Sequence, residues 1–414
     1  MAAFRRWPAA VVVLFLLIAA GCSSGTSGGG GGGASSNSKP LVIGASLPLS
    51  GDFSQPGEAS QRGYVIWQQL VNANGGLLKR QVQLKIVDDA SDQNTVVSDY
   101  TRLISQDKVN LLLGSFSSLL NIPASAVAER SRMLYVCPSC GSPKMFDRGF
   151  KRIFFAQPAT AVHQADLFAQ WVASLPAGQR PATAAYPSQD DPFAQPVIEG
   201  IRTKLEAAGI KTVYSKVYPP DTGNFDTIAG DIKASKADLV AQGAVFEDGV
   251  GLVRSMIKAG YSPKTLFQTS APSEGDQYAK GVGTANTQGV FYAVSWSPDA
   301  NYPLNQEFVK AYQAKYRGVP PEDAADAFAA AQVLQAAVQG VGSADDQGKL
   351  ADWLHNNKAQ TILGPLSWDE TGAPQQAFIL AQWQGGQSKI VLPRNVANTD
   401  EIIVDKPSWG QAQG

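Results

Sequence analysis

Short apolar segments alternate with longer amphipathic ones along the chain from residue 41 onward. In the first unit, Leu41–Leu47 (LVIGASL) is typical of a buried strand, and Ala59–Asn74 carries apolar residues at helical spacing until Gly75-Gly76 ends it. Apolar strands separated by helices form a parallel sheet that is covered on both faces. This repetition restricts the chain to the α/β class and predicts doubly wound parallel sheets.

The repeated units form two series that meet near Pro158, which predicts two α/β domains in tandem. In the first series, strands are predicted at 41–47, 82–87, 109–113, 133–137 and 153–157, and helices at 59–74, 92–106 and 123–131. In the second series, strands are predicted at 182–186, 212–217, 239–244 and 265–269, and helices at 162–174, 193–208, 225–235 and 248–259.

The last part of the chain departs from this alternation. A strand is predicted at 290–296, helices follow at 303–316, 322–340 and 350–356, and a hairpin-like pair spans 376–384 and 388–392. These late helices have no sheet of their own, so we expect them to pack on the first domain. The chain must then cross between the domains more than once.

The N-terminus has the features of an export signal. Two arginines precede an apolar run at 7–20, which is shorter than the ~20 residues needed to span a bilayer. The run ends in Ala19-Ala20-Gly21-Cys22, which resembles the lipobox of bacterial lipoproteins. We expect residues 1–21 to be a signal peptide, Cys22 to be lipidated and residues 22–39 to form a flexible Gly/Ser tether. An ordinary secretory signal with an incidental cysteine is the alternative; the lipoprotein reading predicts an extracytoplasmic protein anchored to the cell membrane.

The charge and the supply of metal ligands argue against several functions. Lys and Arg number 34 against 35 Asp and Glu, so no strong positive field is available to attract nucleic acid. Two histidines and three cysteines leave little for a zinc site, and the sequence contains neither a phosphate-binding loop nor a nucleophile elbow. We therefore expect a protein that is not an enzyme and that needs no metal or cofactor.

Cys137-Pro138-Ser139-Cys140 is the sharpest local motif. Such a pair can be a structural disulfide, two free thiols or a redox-active dithiol. A redox motif of the thioredoxin kind opens a helix, whereas this motif ends a predicted strand. Acylation of Cys22 would also leave an even pair of cysteines in an exported protein, so we expect a disulfide between Cys137 and Cys140.

Serines and glycines follow several predicted strands, at 46–51 (SLPLSG), 114–118 and 138–142. Ligands of open parallel sheets bind beyond the carboxyl ends of the strands, where hydroxyl groups and helix amides can hold a carboxylate. Ordinary turn and cap chemistry is the alternative for such serines.

Several stretches resemble one family when they are read in order after the lipobox. They are 43–51, Asn72-Ala73-Asn74-Gly75-Gly76, Val87-Asp88-Asp89, 114–118, Asn224-Phe225-Asp226 and 364–372, within a region that runs from about 41 to 393. This pattern is similar to the extracytoplasmic solute-binding proteins of ABC importers, in the branched-chain amino acid (leucine/isoleucine/valine) binding family. The resemblance implies a fold like that of type I periplasmic binding proteins, with two lobes joined by three crossovers and a solute trapped between them by hinge closure.

The resemblance also implies domain boundaries and partners. Residues 40–158 with 290–362 are expected to form the first lobe, residues 159–289 with 363–404 the second, and residues 405–414 a C-terminal tail. The expected protein is a monomer that delivers a small solute to the permease subunits of an ABC importer. A membrane-anchored ligand sensor of the same fold, feeding a signalling receptor, is the alternative.

The family's binding residues can be placed one by one. Its serine after the third strand falls on Ser118, beside Ser117, and its carboxylate-binding loop falls on Ser139, Cys140, Gly141 and Ser142. Its aromatic residues in the second lobe fall on Phe193 and near Phe246, while Phe53 and Trp296 offer further apolar walls. Its acidic partner for the ligand ammonium falls near Ala271, with Glu247, Glu274 and Asp323 as possible replacements.

The alanine at that position weighs against an ammonium group in the solute, because a buried ammonium without a carboxylate partner costs several kcal/mol. The sequence therefore predicts a small carboxylate or amide with apolar bulk slightly ahead of a branched-chain amino acid. Binding is expected to survive removal of the amine better than removal of the carboxylate.

Overall fold

Two β-sheets organise the chain in the computed structural model, which describes residues 39–410. The expected signal peptide, Cys22 and nearly all of the tether lie outside these residues, as do residues 411–414. No helix in the described range is both long and apolar enough to cross a membrane.

The first sheet has five parallel strands in the order β2-β1-β3-β4-β5. Its strands are β1 (Leu41–Leu47), β2 (Val82–Asp88), β3 (Leu111–Leu113), β4 (Tyr135–Cys137) and β5 (Ile153–Phe155). The helices between them are α1 (Ser54–Ala73), α2 (Gln93–Ser105) and α3 (Ser118–Arg130).

The second sheet begins with five strands, β6 (Thr183–Gln189), β7 (Lys211–Tyr218), β8 (Leu239–Gln242), β9 (Thr265–Gln268) and β10 (Val290–Val294). Its helices are α4 (Asp166–Ser174), α5 (Ala194–Ala207), α6 (Asp226–Ser235), α7 (Phe246–Lys258) and α8 (Asp276–Val282), with a short 3-10 helix at Ala271–Glu274.

The remaining elements are divided between the two sheets. The helices α9 (Asn305–Tyr316), α10 (Glu322–Val341) and α11 (Gln347–Asn356) pack with the first sheet, as expected, and α1 lies in the same hydrophobic core. A two-stranded ribbon of β11 (Ala359–Thr361) and β12 (Gly364–Leu366) follows. The hairpin β13 (Ile379–Gln384) and β14 (Gln387–Leu392) completes the second sheet, whose order is β14-β13-β10-β9-β8-β6-β7.

Each sheet therefore has a hydrophobic core on both faces, which defines a first and a second lobe. Three crossings join the lobes. They fall between Ala156 and Ala159, between Val294 and Trp296, and between Ala373 and Phe378, which are core residues of the lobes on either side.

Two of the expected lobe boundaries are wrong. The strand β10 was assigned to the first lobe, but it pairs with β9 and β13 in the second sheet. Its five residues are all buried, and such an apolar strand suits either sheet until its pairing partners are known. The segment after residue 362 was assigned to the second lobe, but Leu366 and Trp368 lie in the core of the first. The Trp368 indole N–H donates to the carbonyl oxygen of Phe155 at 2.6 Å, which fastens this segment to β5.

Two helices begin earlier than their apolar spacing indicated. The helix α1 starts at Ser54 rather than Ala59, and α3 starts at Ser118 rather than Pro123. The start of α3 is set by Ser117, whose hydroxyl oxygen accepts a hydrogen bond from the backbone N–H of Leu119 at 3.1 Å. Because both helices start earlier than predicted, their first turns reach the space between the lobes.

Candidate functional site

A cavity of about 590 Å³ lies between the two lobes and is hereafter called the cleft. The first lobe contributes the start of α1, the start of α3, the loop after β4 and the start of α10. The second lobe contributes the loops that follow β6, β7, β8 and β9. The cleft therefore lies beyond the carboxyl ends of parallel strands in both lobes, which is where open α/β sheets bind ligands.

Most of the predicted binding residues line this cleft. They are Phe53, Ser117, Ser118, Ser139, Gly141, Phe193, Phe246 and Asp323. Both replacement acids named with Asp323, Glu247 and Glu274, line it as well. The cleft thus collects residues that are more than 200 positions apart in the sequence.

Four predicted binding residues do not line the cleft. The ring of Trp296 packs edge-on against Phe308 in the core of the first lobe, and its indole N–H donates to Asn305 at 2.6 Å. Ala271 is buried at the start of its 3-10 helix, where it packs closely on Gly249. Cys140 and Ser142 are fully buried behind the loop that carries Ser139. An alternating or turn pattern alone cannot tell which side of such a loop faces the cavity.

Ser117, Ser118 and Ser139 form a serine cluster at the start of α3. The hydroxyl oxygen of Ser118 accepts a hydrogen bond from the backbone N–H of Ser142 at 3.0 Å, so its own proton remains available to a ligand. The fully buried Asn121 donates from its side-chain amide to the carbonyl oxygens of Ser117 and Ser139, at 2.9 and 3.1 Å. Asn121 was missed by sequence reasoning, because an asparagine within a helix gives no sign that it joins two loops.

A disulfide joins Cys137 and Cys140, with their Cα atoms 6.0 Å apart. Ser139 lies inside this short loop, and the carbonyl oxygen of Pro138 accepts a hydrogen bond from the Gln157 side chain at 2.8 Å. Gly114 packs so closely on Cys137 that a Cβ there would lie 2.5 Å from the Cβ of the cysteine. The loop behind the serine cluster is therefore held from three directions.

Glu274, Glu322, Asp323 and Asp326 form an acidic cluster that also lines the cleft. Glu274 ends the 3-10 helix of the second lobe, and the other three occupy the first turns of α10. Glu274 and Asp326 are buried, whereas Glu322 and Asp323 keep part of their surface in the cleft. Glu322 and Asp326 lie four positions apart on one helix, so their proximity can be predicted from the sequence. No local pattern indicates that Glu274 joins them.

Burial raises the pKa of every carboxyl group in the acidic cluster. Removal from water raises the pKa of Glu322 to about 7, although hydrogen bonds from Ser295 oppose the shift. Burial and the neighbouring Glu274 raise the pKa of Asp323 well above its usual range, and burial likewise raises that of Glu274. Asp323 and Glu274 interact closely enough for each to affect the pKa of the other, and the Gln55 side-chain amide of the first lobe donates a hydrogen bond to Glu274.

The acidic cluster also contacts two of the crossings between the lobes. The hydroxyl oxygen of Ser295 lies 2.9 Å from a carboxylate oxygen of Glu322 and 2.5 Å from one of Asp326. The side-chain amide of Gln157 donates to Asp326 at 2.6 Å. Changes in the charge of this cluster therefore act directly on the segments about which the lobes are joined.

Among residues 39–410, no Lys, Arg or His side chain contributes to the pKa shifts of the four carboxyl groups in the acidic cluster. The described residues also contain no group of three or more His, Cys, Asp or Glu side chains arranged to hold a metal ion.

Aromatic rings form the apolar walls of the cleft. On the first lobe, the rings of Phe53 and Phe116 lie 5.7 Å apart between centroids. On the second lobe, Phe193 and Phe246 are half-buried and face the same cavity. These rings can enclose an aliphatic or aromatic side chain of a ligand.

Asp248 is a further carboxyl group in the cleft that sequence reasoning missed. It is buried on the first turn of α7, and burial raises its pKa to about 7. One of its oxygens has no hydrogen-bond partner among the described residues.

The sequence matches the family model described as periplasmic binding protein over residues 40–387. An amino acid binding protein of Pseudomonas aeruginosa is 26% identical over 353 residues, which cover 83% of this chain and 90% of that protein.

Two solved structures share the fold. A leucine binding protein from Thermotoga maritima gives a TM-score of 0.76 at 17% identity, covering 85% of this chain and 97% of that one. A solute binding protein from R. palustris in complex with benzoate gives a TM-score of 0.76 at 21% identity, covering 89% and 100%. The architecture is thus that of type I periplasmic binding proteins, and these similar proteins are solute-binding proteins rather than enzymes.

Proposed function

Because the chain belongs to the periplasmic binding protein family, we propose that it captures a branched-chain amino acid in its cleft for an ABC importer. The observation that carries this proposal is the pairing of two chemistries in one cavity. The serine cluster offers hydroxyl donors for a carboxylate, and the acidic cluster offers carboxyl groups that no basic side chain among the described residues neutralises.

An α-amino acid can bind to the serine cluster and to the acidic cluster at the same time. Its carboxylate accepts hydrogen bonds at Ser117 and Ser118, while its ammonium group binds to the carboxyl groups of Glu274 and Asp323. The aromatic walls then enclose an aliphatic side chain, for which a cavity of about 590 Å³ leaves ample room. The sequence alone favoured a solute without an amine because Ala271 occupies the family's acidic position. Glu274, three residues further on, supplies the missing carboxyl group and reverses that preference.

Capture is expected to proceed by hinge closure about the three crossings. The Glu274 to Asp323 contact joins the two lobes directly, so a ligand ammonium bound between them stabilises the closed arrangement. The loaded protein then delivers its solute to the permease subunits. We further propose that the protein works as a monomer, anchored to the outer side of the cell membrane through a lipid on Cys22.

Calorimetry with four ligands tests the choice of solute. Leucine, 4-methylpentanoate, which lacks the amine, 3-methylbutylamine, which lacks the carboxylate, and benzoate would be titrated at pH 7. We expect leucine to bind at least about 30-fold more tightly than either truncated analogue, because each leaves one wall of the cleft unpaired. Equal affinity for 4-methylpentanoate, or preferential binding of benzoate, would refute the amino acid assignment.

The lipid anchor has its own test. Substitution of Cys22 by alanine is expected to release the protein from the membrane fraction and to remove the acyl mass. Unchanged processing and membrane association of Cys22→Ala would contradict the anchor without bearing on the solute.

A further inference from the structure

Gln55 connects the two lobes at the acidic cluster. It lies in the first turn of α1, in the first lobe, and its side-chain amide donates a hydrogen bond to the carboxylate of Glu274, which ends the 3-10 helix of the second lobe. Both residues line the cleft, although 219 positions separate them in the sequence. This contact therefore lies where the proposed function places the ammonium group of the solute.

The cleft offers Glu274 no positive charge. Every charged side chain among the described residues that line it belongs to Asp or Glu, and none belongs to Lys, Arg or His. Burial raises the pKa of Glu274, and the hydrogen bonds that oppose this shift come from Asp323 and Gln55, neither of which carries a positive charge. The buried Glu274 side chain is thus hydrogen-bonded but not paired with a cation.

An amide donor leaves the charge of a carboxylate in place. The glutamine amide donates hydrogen bonds without carrying a net charge, whereas a lysine ammonium or an arginine guanidinium in its place would also compensate the negative charge. A buried carboxylate without a compensating charge costs free energy, and a cationic group on a ligand relieves that cost. The identity of residue 55 therefore decides whether the cleft needs a cation from the solute.

We propose that Gln55 is a specificity-determining residue: as a neutral donor to Glu274, it makes the cleft select solutes that carry an ammonium group. It acts through Glu274 and is therefore a positioning residue for that carboxylate. The inference rests on the proposed function, because it requires the ligand ammonium to bind at Glu274.

A purely structural role for Gln55 is the alternative. If its hydrogen bond only holds the lobes together, loss of that bond weakens the binding of every ligand by the same factor. Charge selection instead changes the ratio of the affinities for leucine and for 4-methylpentanoate, which has the same carbon frame without the amine. This ratio is therefore the measurement that separates the two roles.

The test compares Gln55→Lys, which supplies a positive charge beside Glu274, with Gln55→Met, which removes the hydrogen bond and adds no charge. Lysine and methionine favour helices about as well as glutamine does, so α1 is expected to form in both variants. The matched controls are Gln69→Lys and Gln69→Met, because Gln69 is exposed on the same helix and does not line the cleft. Leucine and 4-methylpentanoate would be titrated calorimetrically into each variant of the full chain at pH 7.

For Gln55→Lys, we expect leucine to bind at least about tenfold more weakly and 4-methylpentanoate about threefold to tenfold more tightly, because the introduced ammonium replaces that of the ligand at Glu274. Gln55→Met should weaken the binding of both ligands severalfold and keep their affinity ratio within about threefold of its original value. The Gln69 variants should change neither affinity. An unchanged ratio in Gln55→Lys, or an equal change of the ratio in Gln55→Met, would overturn the proposal.

Thermal unfolding without ligand gives a second measurement that does not depend on the solute. Burial raises the pKa values of all four carboxyl groups in the acidic cluster, so their contribution to stability is lost as pH rises. An ammonium group beside Glu274 favours the ionised carboxylate. The fall in Tm between pH 5 and pH 7 should therefore be smaller in Gln55→Lys than in Gln69→Lys. Equal falls in these two variants would overturn the role of Gln55 even if leucine binds.

The two measurements keep this inference separate from the proposed function. If leucine fails to bind the unmodified protein, the branched-chain assignment is wrong. A smaller fall in Tm in Gln55→Lys, together with weaker binding of 3-methylbutylamine and tighter binding of 4-methylpentanoate, would then still support charge selection by Gln55.

Discussion

The serine cluster and the acidic cluster face the same cleft, but their chemical states are opposite. The serine loops are held by internal hydrogen bonds, among them those from Asn121 and from the backbone N–H of Ser142. The carboxyl groups of Glu274 and Asp323 instead carry raised pKa values, because both are buried close to each other. The serine cluster is therefore ordered without a ligand, whereas we propose that the acidic cluster becomes better satisfied when a cation binds to it. This difference predicts that specificity depends more on the acidic wall.

The largest loss of leucine affinity is expected from Glu274→Gln. Leaving a ligand ammonium without its buried carboxylate partner costs about 2–5 kcal/mol, so leucine should bind about 30-fold or more weakly. Glu247→Gln is the matched control, because Glu247 lines the same cleft but is exposed to water. Calorimetry of both variants checks the difference. If the two substitutions had equal effects, the acidic cluster would not hold the ammonium.

Ser118→Ala should weaken leucine binding less than Glu274→Gln does. The substitution removes one donor to the ligand carboxylate and the acceptor for the Ser142 backbone N–H, for a loss of about 1–2 kcal/mol, or roughly tenfold in affinity. Ser98→Ala, on an exposed turn of α2, is the control. Because the serine wall recognises the carboxylate, binding of 3-methylbutylamine should be unchanged by Ser118→Ala. A parallel loss for leucine and for the amine would mean that the substitution merely disturbs the loop.

The two clusters also differ in how far they could be predicted. The rule that ligands bind at the carboxyl ends of parallel strands indicated the segments 114–118 and 138–142, with turn and cap chemistry as the alternative. The resemblance to the family then selected Ser117, Ser118 and Ser139 within them. Glu274 and Asp323 are 49 positions apart in the sequence and meet only because the lobes face each other. Local patterns contain no information on that approach.

The same reasoning explains the errors in the fold. Alternation of strands and helices predicted the α/β class, and the lack of a sheet for the late helices predicted their return to the first lobe. It could not place β10 or the segment around Trp368, because sheet membership depends on pairing partners distant in sequence. Trp296 shows the same limit for side chains, since its apolar ring suits a core and a ligand wall equally well.

The acidic cluster, unlike the serine cluster, should make the stability of the protein depend on pH. Glu322 has an ordinary pKa of 4.5 and a folded value of about 7, so the folded protein binds more protons between these values. The unliganded protein should therefore lose stability as pH rises from about 4.5 to about 7. A bound ammonium offsets the charge that appears, so the rise in Tm caused by leucine should be larger at pH 7 than at pH 5. Thermal unfolding at both pH values checks this, and Glu322→Gln should flatten the dependence.

The smallest effect on stability is expected from the disulfide between Cys137 and Cys140. A bond that closes a loop across only 3 positions restricts the unfolded chain little, so a Cys137→Ser, Cys140→Ser double variant should unfold at nearly the same temperature. Leucine affinity should nevertheless fall severalfold, because Ser139 and the Ser142 backbone N–H that bonds Ser118 both belong to this loop. Thiol titration of the unmodified protein, denatured without reductant, should find neither of these cysteines reactive. Two reactive thiols there, or a large loss of stability with unchanged affinity, would show that the bond serves the core of the first lobe rather than the serine wall.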